Sequence, residues 1–510
     1  MKALTAFDLS IPDSAVRVSE RRIAGLAAGF SLVLSLLAAV TDDVLNSDGM
    51  WYVYTAQVFV EEGSSAALAK FDWPFLPVLI GLLHVGTGLS YVASSYLLNA
   101  VLLAALSTGF VLLYREIGGP RVWVAAAVIL LSPFLNEYRN YVIRDFGFWC
   151  FGVWAILFFV RYCRRHRSWQ DALGWQLCVL AAVAFRIEGV SLAVLLPLYC
   201  CFLPRQRFSA WLRANIVFLA GILGAIALVM LDIVPLTYLR RFEYLQSFLS
   251  WSVLSGDFTG KMVVVSHHLQ GIPSISDTPA FLIGGALGIF VRQTVGGLGL
   301  LGLPLAAGLW QRRLRLAEWS VLSWAMFAAA VPVVMFALRD LFLSGRYPGL
   351  LVLLLSLPAA RMLDEYLPRL DWMWKKYPLR LGVIVVALSV WTVDSVMVTR
   401  HYKLFLREAG EWAEAHVPPA ARLYANDDTL YFYYGRGYTR EAQYADNPVL
   451  AAKPVTDAYD WLLLHVHRQD AESFQTKLAA RPELRLETRF ENPKGDAVYA
   501  LHVEPAAAGN

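Results

Sequence analysis

Charged residues are scarce in this 510-residue sequence. Lys, Arg, Asp and Glu together make up 16% of it, whereas they make up about 25% of an ordinary soluble domain. Hydrophobic residues reach 57%, and the mean hydropathy is +0.50. This composition excludes an ordinary soluble globule and predicts a polytopic α-helical membrane protein.

Cysteine and clustered basic residues are also rare. The five cysteines lie in or beside apolar segments and none lies in the polar C-terminal part, so neither a disulfide framework nor a thiolate metal site is predicted. Lys and Arg are spread over short loops rather than along one stripe, which excludes nucleic acid as a partner. Asn-x-Ser/Thr motifs are absent from the loops predicted to lie outside, which favours a bacterial inner membrane.

Apolar runs of about 18 residues or more, long enough to cross a bilayer as helices, recur from Ile23 to Trp391 and then stop. They predict a tail at 1–22, a membrane domain at 23–398 and a domain outside the bilayer at 399–510. About eleven transmembrane helices are expected, at 23–40, 95–114, 121–135, 146–162, 173–185, 190–203, 211–231, 291–310, 319–338, 347–363 and 381–398.

The positions of Arg and Lys predict the orientation. They cluster in alternate loops, and the positive-inside rule then places the N-terminal tail in the cytoplasm and the C-terminal domain in the periplasm. The apolar run 74–90 contains prolines and three glycines, so an interfacial or re-entrant piece is expected there. The predicted outer loops are 41–94, 136–145, 232–280 and 339–346.

The polar tail has the pattern of a small α/β domain. Helices are predicted near 403–416 and 471–480, and strands are predicted near 422–425, 461–466, 484–489 and 497–503.

The segment Ser47 to Gly63 follows the first apolar run and carries an acid on an aromatic-rich helix. Asp48, Tyr52 and Ala56 recur at intervals of four and share one helical face, and Gly63 is a plausible stop. The pattern resembles the first extracytoplasmic loop of the GT-C integral-membrane glycosyltransferases, in the branch that holds protein O-mannosyltransferases and lipid A aminoarabinose transferases.

This resemblance implies a GT-C-like domain that transfers a sugar, with inversion, from a polyprenyl-phosphate donor to a hydroxyl group of a lipid, glycan or protein acceptor in contact with membrane lipid. Asp48 is then the candidate general base. The alternative is that Asp48 caps the helix that follows it, in competition with Ser47. Asp42 and Asp43 are rival acids, expected to be exposed at the end of the first span.

A second acid, Asp145, begins the fourth predicted span and resembles the acid that the family's second loop delivers into the top of a helix. Asp48 and Asp145 would hold a divalent cation, Mg or Mn, against the donor phosphate, or would orient the acceptor. Alternatively, Asp145 is a helix-terminal acid or a partner of Arg144. Glu137 is a weaker candidate.

The motif Arg186-Ile187-Glu188-Gly189 interrupts a very apolar run, where ionisable residues tend to be functional or paired. It resembles the Arg-Pro-Glu-Gly corner between the fifth and sixth spans of the superfamily, with Ile187 where proline is common. The resemblance makes Arg186 a contact of the donor phosphate and Glu188 a catalytic orienter. A salt bridge that only closes the corner is the alternative.

Arg346-Tyr347-Pro348 resembles a later Arg-Tyr corner of these enzymes, so both side chains are candidate contacts of the donor phosphate. Interfacial anchoring of a helix end is the alternative. Trp73 stands where relatives often carry a basic or histidine residue before proline, and Lys70 is expected to substitute for it.

Two weaker signals are the adjacent His267 and His268, which have no companion ligand at a recognisable spacing, and the aromatic run 427–436. That run is expected either to stack on sugar or to form a packed core under a helix. A transporter or flippase of a lipid-linked or amphiphilic solute is the rival function. Acids gathered at one membrane face and the absence of an internal repeat argue against it. A non-catalytic assembly subunit is a third possibility.

Overall fold

The computed structural model describes residues 14–164, 168–202, 207–230, 250–268, 278–311, 320–397, 402–453 and 458–504. The chain forms two compact units. The helical unit comprises Met1–Ser35, Leu97–Tyr138 and Arg144–Ser395, and the mixed unit comprises Leu36–Tyr96, Arg139–Ile143 and Val396–Asn510.

The helical unit is built from long apolar helices, three of which, α1, α5 and α17, continue from one unit into the other. Three-residue and seven-residue 3-10 turns join some of the helices. The helices are α1 (Ser14–Thr41), α5 (Tyr91–Glu116), α6 (Val122–Leu130), α7 (Pro133–Glu137), α8 (Asp145–Arg164), α9 (Trp169–Phe185), α10 (Gly189–Leu195), α11 (Arg207–Met230), α12 (Trp251–His268), α13 (Thr278–Leu298), α14 (Gly302–Trp310), α15 (Ser320–Asp340), α16 (Gly349–Lys376) and α17 (Pro378–Val396).

Within the described ranges, five helical segments are long and apolar enough to cross a membrane: Glu20–Thr41, Tyr91–Glu116, Asp145–Arg164, Thr278–Trp310 and Ser320–Asp340. The sequence predicts about eleven spans, and several of these coincide with shorter apolar helices or with helices that carry more charge. The exact number of spans therefore stays a prediction.

The predicted loop 232–280 contains α12, and α13 begins at Thr278 rather than near 291. The sequence-based boundary is late because Gly284, Gly285 and Gly288 suggest a loop, whereas apolar helices accept glycine more readily than soluble helices do. Residues 231–249 and 269–277 of this predicted loop lie outside the described residues.

Two glycines allow close packing of helices near the charged residues at the start of α8, the end of α9 and the start of α16. A Cβ atom on Gly147 would lie 2.2 Å from the Phe185 ring, and one on Gly349 would lie 2.3 Å from the Trp149 ring. Gly147 therefore lets the start of α8 approach the end of α9, and Gly349 lets the start of α16 approach α8. Polar residues at these three helix ends are thereby held close to their neighbours.

The N-terminal part of the mixed unit contains three short helices, α2 (Ser47–Glu62), α3 (Ser64–Lys70) and α4 (Phe75–Thr87). Helix α2 ends at Gly63, whose φ of +90° favours glycine. Tyr52 and Ala56 are buried, and Gly81 of α4 lies against the backbone of Ala56. The four-residue spacing seen in the sequence thus places part of this face in the core between α2 and α4.

The C-terminal part contains a four-stranded sheet of order β1-β2-β4-β3. Strand β1 pairs in parallel with β2, while β4 is antiparallel to both of its neighbours, and the β3–β4 pair has a register shift near Leu486. The elements are α18 (Leu404–His416), β1 (Leu423–Ala425), α19 (Asp428–Tyr434), β2 (Trp461–Val466), α20 (Ala471–Ala479), β3 (Leu484–Glu491) and β4 (Ala497–Val503).

Both faces of this sheet are covered. Helices α18 and α19 pack on one face through residues such as Phe405 and Leu430, while Phe474 of α20 packs on the other. All four strands lie at or within two residues of the positions that the sequence predicts. The C-terminal part is therefore a small α/β sandwich with its own core.

Candidate active site

Four ionisable residues meet at one end of the helical unit and form what we call the ionic cluster: Asp145, Arg186, Glu188 and Arg346. Asp145 is the first residue of α8 and Arg186 follows the last residue of α9. Their side chains are 7% exposed or less, and Arg186 Nη1 donates to Asp145 Oδ1 at 2.7 Å. The structure thus brings together residues that the sequence offers as separate motifs.

The second terminal nitrogen of Arg186, Nη2, donates to Glu188 Oε1. Partial burial would raise the pKa of Glu188, but the charge of Arg186 and this hydrogen bond outweigh burial and lower the pKa to about 2. The salt bridge that closes the Arg186–Glu188 corner is therefore present. Since carboxylates engage both of its terminal nitrogens, Arg186 is an anchor of the cluster.

Arg346 contacts the same acid from the opposite side, with Nε 4.0 Å from Asp145 Oδ2, and its side chain is 21% exposed. Tyr347 supports Arg186, whose guanidinium carbon lies 4.8 Å from the centre of the Tyr347 ring, and the same ring packs edge-on against Phe336. Asp145 thus binds Arg346 less closely than Arg186, and Arg346 is the more exposed of the two cations.

A narrow crevice adjoins the ionic cluster. Arg186, Glu188 and Tyr347 form its polar side. The remaining wall is apolar and consists of Phe148, Ala329, Pro332, Val333, Phe336 and Leu350. The crevice is small, with a volume of about 20 Å³, which is room for about one water molecule, and Arg186 is the arginine on its wall.

Asp48 lies in the mixed unit, in the first turn of α2, and its side chain is 16% exposed. Arg440 Nη2 donates to Asp48 Oδ1 at 2.9 Å. The residue at the N-cap position is Asn46, whose side chain makes no capping bond; it exchanges hydrogen bonds with the backbone of Val142 instead. The alternative that Asp48 caps this helix is therefore wrong.

Ser47 does not cap α2 either, because its hydroxyl donates to Asp428 Oδ2 at 2.6 Å. Burial raises the pKa of Asp428, although the hydrogen bond from Ser47 opposes this effect. Two consecutive residues, Ser47 and Asp48, are thus bound to side chains that lie more than 380 positions later in the sequence.

Three aromatic rings pack together near this ion pair. Tyr438 lies 5.1 Å from Tyr54 and 6.1 Å from Trp51, measured between ring centres. Lys70 Nζ lies 5.9 Å from the centre of the Tyr54 ring. Lys70 therefore belongs to the mixed unit, and its predicted role at the donor phosphate stays a prediction.

Asp42 is not the exposed acid that the sequence predicts. It is partly buried, and Tyr96 Oη donates to its Oδ2 at 2.5 Å. Burial raises the pKa of Asp42 to about 6, with the Tyr96 hydrogen bond acting against the shift and the charge of Asp43 adding to it. The sequence does not reveal the burial of Asp42, because Tyr96, which donates the hydrogen bond to it, lies 54 positions away.

The remaining weak candidates have simple structural roles. Glu137 is exposed at the end of α7. In the aromatic run, Leu430 and Tyr434 of α19 are buried against the sheet, which supports the packed-core interpretation for these two residues. Stacking of the other aromatic residues on sugar stays a prediction. His267 and His268 fall at the end of α12, where their side chains lie outside the described part of the structure.

The two carboxylates predicted to hold a divalent cation, Asp48 and Asp145, are each paired with arginine. Both oxygens of Asp145 face guanidinium groups, and Oδ1 of Asp48 accepts from Arg440. Within the described residues, no group of three or more His, Cys, Asp and Glu side chains has the arrangement of a metal site. The predicted metal pair would combine one acid from each unit and stays a prediction.

Sequence reasoning missed Arg440. It lies in the first turn of a short 3-10 helix, Arg440–Tyr444, in a segment without a recognisable motif. The signal that could have identified it is its charge, because Arg440 follows a tyrosine-rich run in a domain that is predicted to face the same side of the membrane as Asp48.

Comparisons with known proteins show the fold. No protein-family model matches the sequence, and no curated protein matches it. Among solved structures, ArnT from Cupriavidus metallidurans bound to undecaprenyl phosphate is 14% identical, with a TM-score of 0.56, and the match covers 96% of this chain and 98% of that one. The apo form of the same ArnT gives a TM-score of 0.54 at the same identity and coverage.

The oligosaccharyltransferase AglB from Archaeoglobus fulgidus, in complex with an inhibitory peptide and a dolichol-phosphate, is 11% identical, with a TM-score of 0.54. That match covers 96% of this chain and 74% of the archaeal chain. Because ArnT and AglB both belong to the GT-C superfamily, the chain has the GT-C fold.

Proposed function

We propose that the protein is a membrane glycosyltransferase that moves a sugar from a polyprenyl-phosphate donor to a hydroxyl group of a lipid, glycan or protein acceptor outside the cytoplasm. The observation that carries this proposal is the GT-C fold, shared over 96% of the chain with an enzyme crystallised with undecaprenyl phosphate. The arginines of the ionic cluster supply cationic groups of the kind that a lipid phosphate requires. Fold alone does not specify activity, so the residues carry the rest of the proposal.

In this proposal Arg346 is the main cationic contact of the donor phosphate, because it is more exposed than Arg186 and is bound less closely by Asp145. Arg186 and Tyr347 hold the cluster in shape, and Glu188 orients Arg186. A guanidinium placed at the departing phosphate stabilises the charge that develops as the glycosidic bond breaks. Lys70 is a further candidate for this role.

Asp48 is the proposed general base. It removes the proton from the acceptor hydroxyl, the acceptor oxygen forms a bond to the anomeric carbon, and the bond from that carbon to the phosphate oxygen breaks with inversion. The electron pair leaves with the lipid phosphate. No step is assigned to a metal, because the carboxylates that would bind it are paired with arginines.

The location proposed for the enzyme is the bacterial inner membrane, with the N-terminus in the cytoplasm and the C-terminal α/β sandwich in the periplasm. The distribution of arginine and lysine between loops supports this orientation.

The test is mass spectrometry of envelope glycolipids, polysaccharide and surface proteins from a deletion strain. The strain is complemented with the wild-type chain, with Asp48→Asn or with the control Glu62→Gln, which changes an exposed acid at the end of the same helix. We expect loss of one discrete sugar mass, restored by wild type and Glu62→Gln but not by Asp48→Asn. Equal restoration by Asp48→Asn would remove Asp48 as the base, and no change in any glycan would favour a transporter.

A further inference from the structure

The ion pair between Asp48 and Arg440 joins residues 392 positions apart. The carboxylate is 16% exposed and the guanidinium 41% exposed, so the pair is shielded mainly on the side of the acid. A partly shielded, charge-assisted hydrogen bond holds its two groups more firmly than an exposed surface pair does. Arg440 is therefore a defined neighbour of the proposed base.

The segment that carries Arg440 is fixed by its own contacts. The Tyr438 ring packs on Trp51 and Tyr54 of α2 and lies edge-on to Phe432, 5.7 Å between ring centres. One residue later, Thr439 Oγ1 accepts from the backbone of Glu441 at 3.3 Å and caps the 3-10 helix that begins at Arg440. The backbone on both sides of Thr439 is thus tied down.

The start of α2 is fixed by the same domain. Ser47 donates to Asp428, and the backbone nitrogen of Leu45 donates to Tyr433 Oη at 3.1 Å. Asp48 therefore lies between a tether before it, through Leu45 and Ser47, and the aromatic packing after it. The hydrogen bond from Arg440 to Oδ1 restricts rotation of the Asp48 side chain.

We propose that Arg440 is a positioning residue for the reaction, which orients the Asp48 carboxylate through its hydrogen bond to Oδ1. This inference rests on the proposed function. In the step concerned, the hydroxyl proton passes to the Asp48 carboxylate, the acceptor oxygen bonds to the anomeric carbon, and the lipid phosphate leaves with the electron pair of the broken bond. A base acts efficiently only when it is held within about 0.5 Å of its productive position.

The experiment compares Arg440→Gln and Arg440→Lys with Arg436→Gln, a control that removes an exposed arginine four positions earlier in the same segment. Membranes from the complemented deletion strain, which contain endogenous donor and acceptor, are assayed by mass spectrometry for sugar transfer between pH 5 and 9. We expect Arg440→Gln to slow transfer about 10-fold to 100-fold. Arg440→Lys should recover part of that rate, and Arg436→Gln should match wild type.

The pH profile separates positioning from mere folding. Without the cation the protonated carboxylate is favoured, so we expect the acid limb of the Arg440→Gln profile to move to higher pH. Transfer by Arg440→Gln at the wild-type rate with an unmoved profile would overturn the inference. So would a slow variant with an unmoved profile and a lowered unfolding temperature in detergent, because Arg440 would then serve stability alone.

The same assay distinguishes the two proposals. If Asp48→Asn is inactive and Arg440→Gln behaves as wild type, the positioning role fails and the proposed function stands. If Asp48→Asn retains full transfer, the base assignment itself fails.

Discussion

Each acid that the family resemblance singles out has an arginine as its closest described charge partner. Asp145 accepts from Arg186 within the helical unit, and Asp48 accepts from Arg440 within the mixed unit. A carboxylate held by a guanidinium keeps its charge and has a fixed direction. At the scale of single residues, the arginines therefore fix the direction of these two carboxylates.

The raised pKa of Asp42 predicts that the free energy of unfolding of the protein depends on pH. Its folded pKa of about 6 lies above the ordinary value of 3.8, so folding favours the protonated acid. The stability that this group contributes is present below pH 4 and is lost as the pH rises through 6. Asp42→Asn should therefore be more stable than wild type above pH 6, by about 1–3 kcal/mol. Unfolding of the detergent-solubilised protein between pH 4 and 8 measures this, and parallel curves for the two proteins would refute it.

Arg186 and Arg346 should behave differently when they are neutralised. Arg186→Gln leaves two acids without their main cation, so we expect it to cost about 3 kcal/mol of stability or more. Arg346→Gln should cost less than Arg186→Gln, since its side chain is more exposed and its contact with Asp145 is longer, yet it should abolish most transfer. Thermal unfolding together with the membrane transfer assay checks both, and equal destabilisation by the two variants would contradict the division of roles.

The sequence located most of these residues but not their partners. Arg186 and Glu188 are predicted because they interrupt an apolar run, where charge is costly, and Arg346 is predicted from its resemblance to the Arg-Tyr corner of the GT-C enzymes. Arg440 is not predicted, because an arginine in a polar domain does not stand out from its neighbours and its partner, Asp48, lies 392 positions away. Local pattern identifies an unusual residue, whereas only the tertiary fold identifies what it contacts.

Elements were predicted well where periodicity was strong. The strands Trp461–Val466 and Ala497–Val503 have the bounds that their alternating and apolar patterns indicate. Helix α13 was placed too late because glycines interrupt its first half, and α19 was not predicted as a helix because its aromatic run has no clear period. The C-terminal sandwich was therefore easier to predict than the helices of the membrane domain.

A substitution at Gly147 tests whether the packing of α8 against α9 is needed for the ionic cluster. A Cβ atom there would overlap the ring of Phe185, which directly precedes Arg186. Gly147→Ala should destabilise the protein by about 1–3 kcal/mol and reduce transfer, because the end of α9 must shift. Gly288→Ala in α13 is the control, since nothing lies within 4 Å of its added carbon. Unfolding temperature and transfer rate are measured for both, and equal behaviour of the two variants would show that the α8–α9 contact is not critical.

At the scale of the whole molecule, the two units carry complementary chemistry. The helical unit holds the buried Arg186 and the more exposed Arg346, and the mixed unit holds an acid, Asp48, that is hydrogen-bonded to Arg440. A lipid-phosphate donor matches the first arrangement, and a hydroxyl acceptor matches the second. The proposed transfer of a sugar needs both a cationic contact for the leaving phosphate and a base for the acceptor hydroxyl.

The most direct measurement follows the donor bond in detergent solution, where there is no membrane to transport across. The purified wild-type chain is incubated with the lipid extract and envelope fraction of the deletion strain, and mass spectrometry follows conversion of lipid-linked sugar to free polyprenyl phosphate. We predict that wild type releases one polyprenyl phosphate for each sugar that appears on the acceptor, and that Asp48→Asn releases none. If folded wild-type protein leaves the donor intact and no sugar appears on any acceptor, the result would contradict glycosyl transfer and favour transport of the lipid-linked sugar.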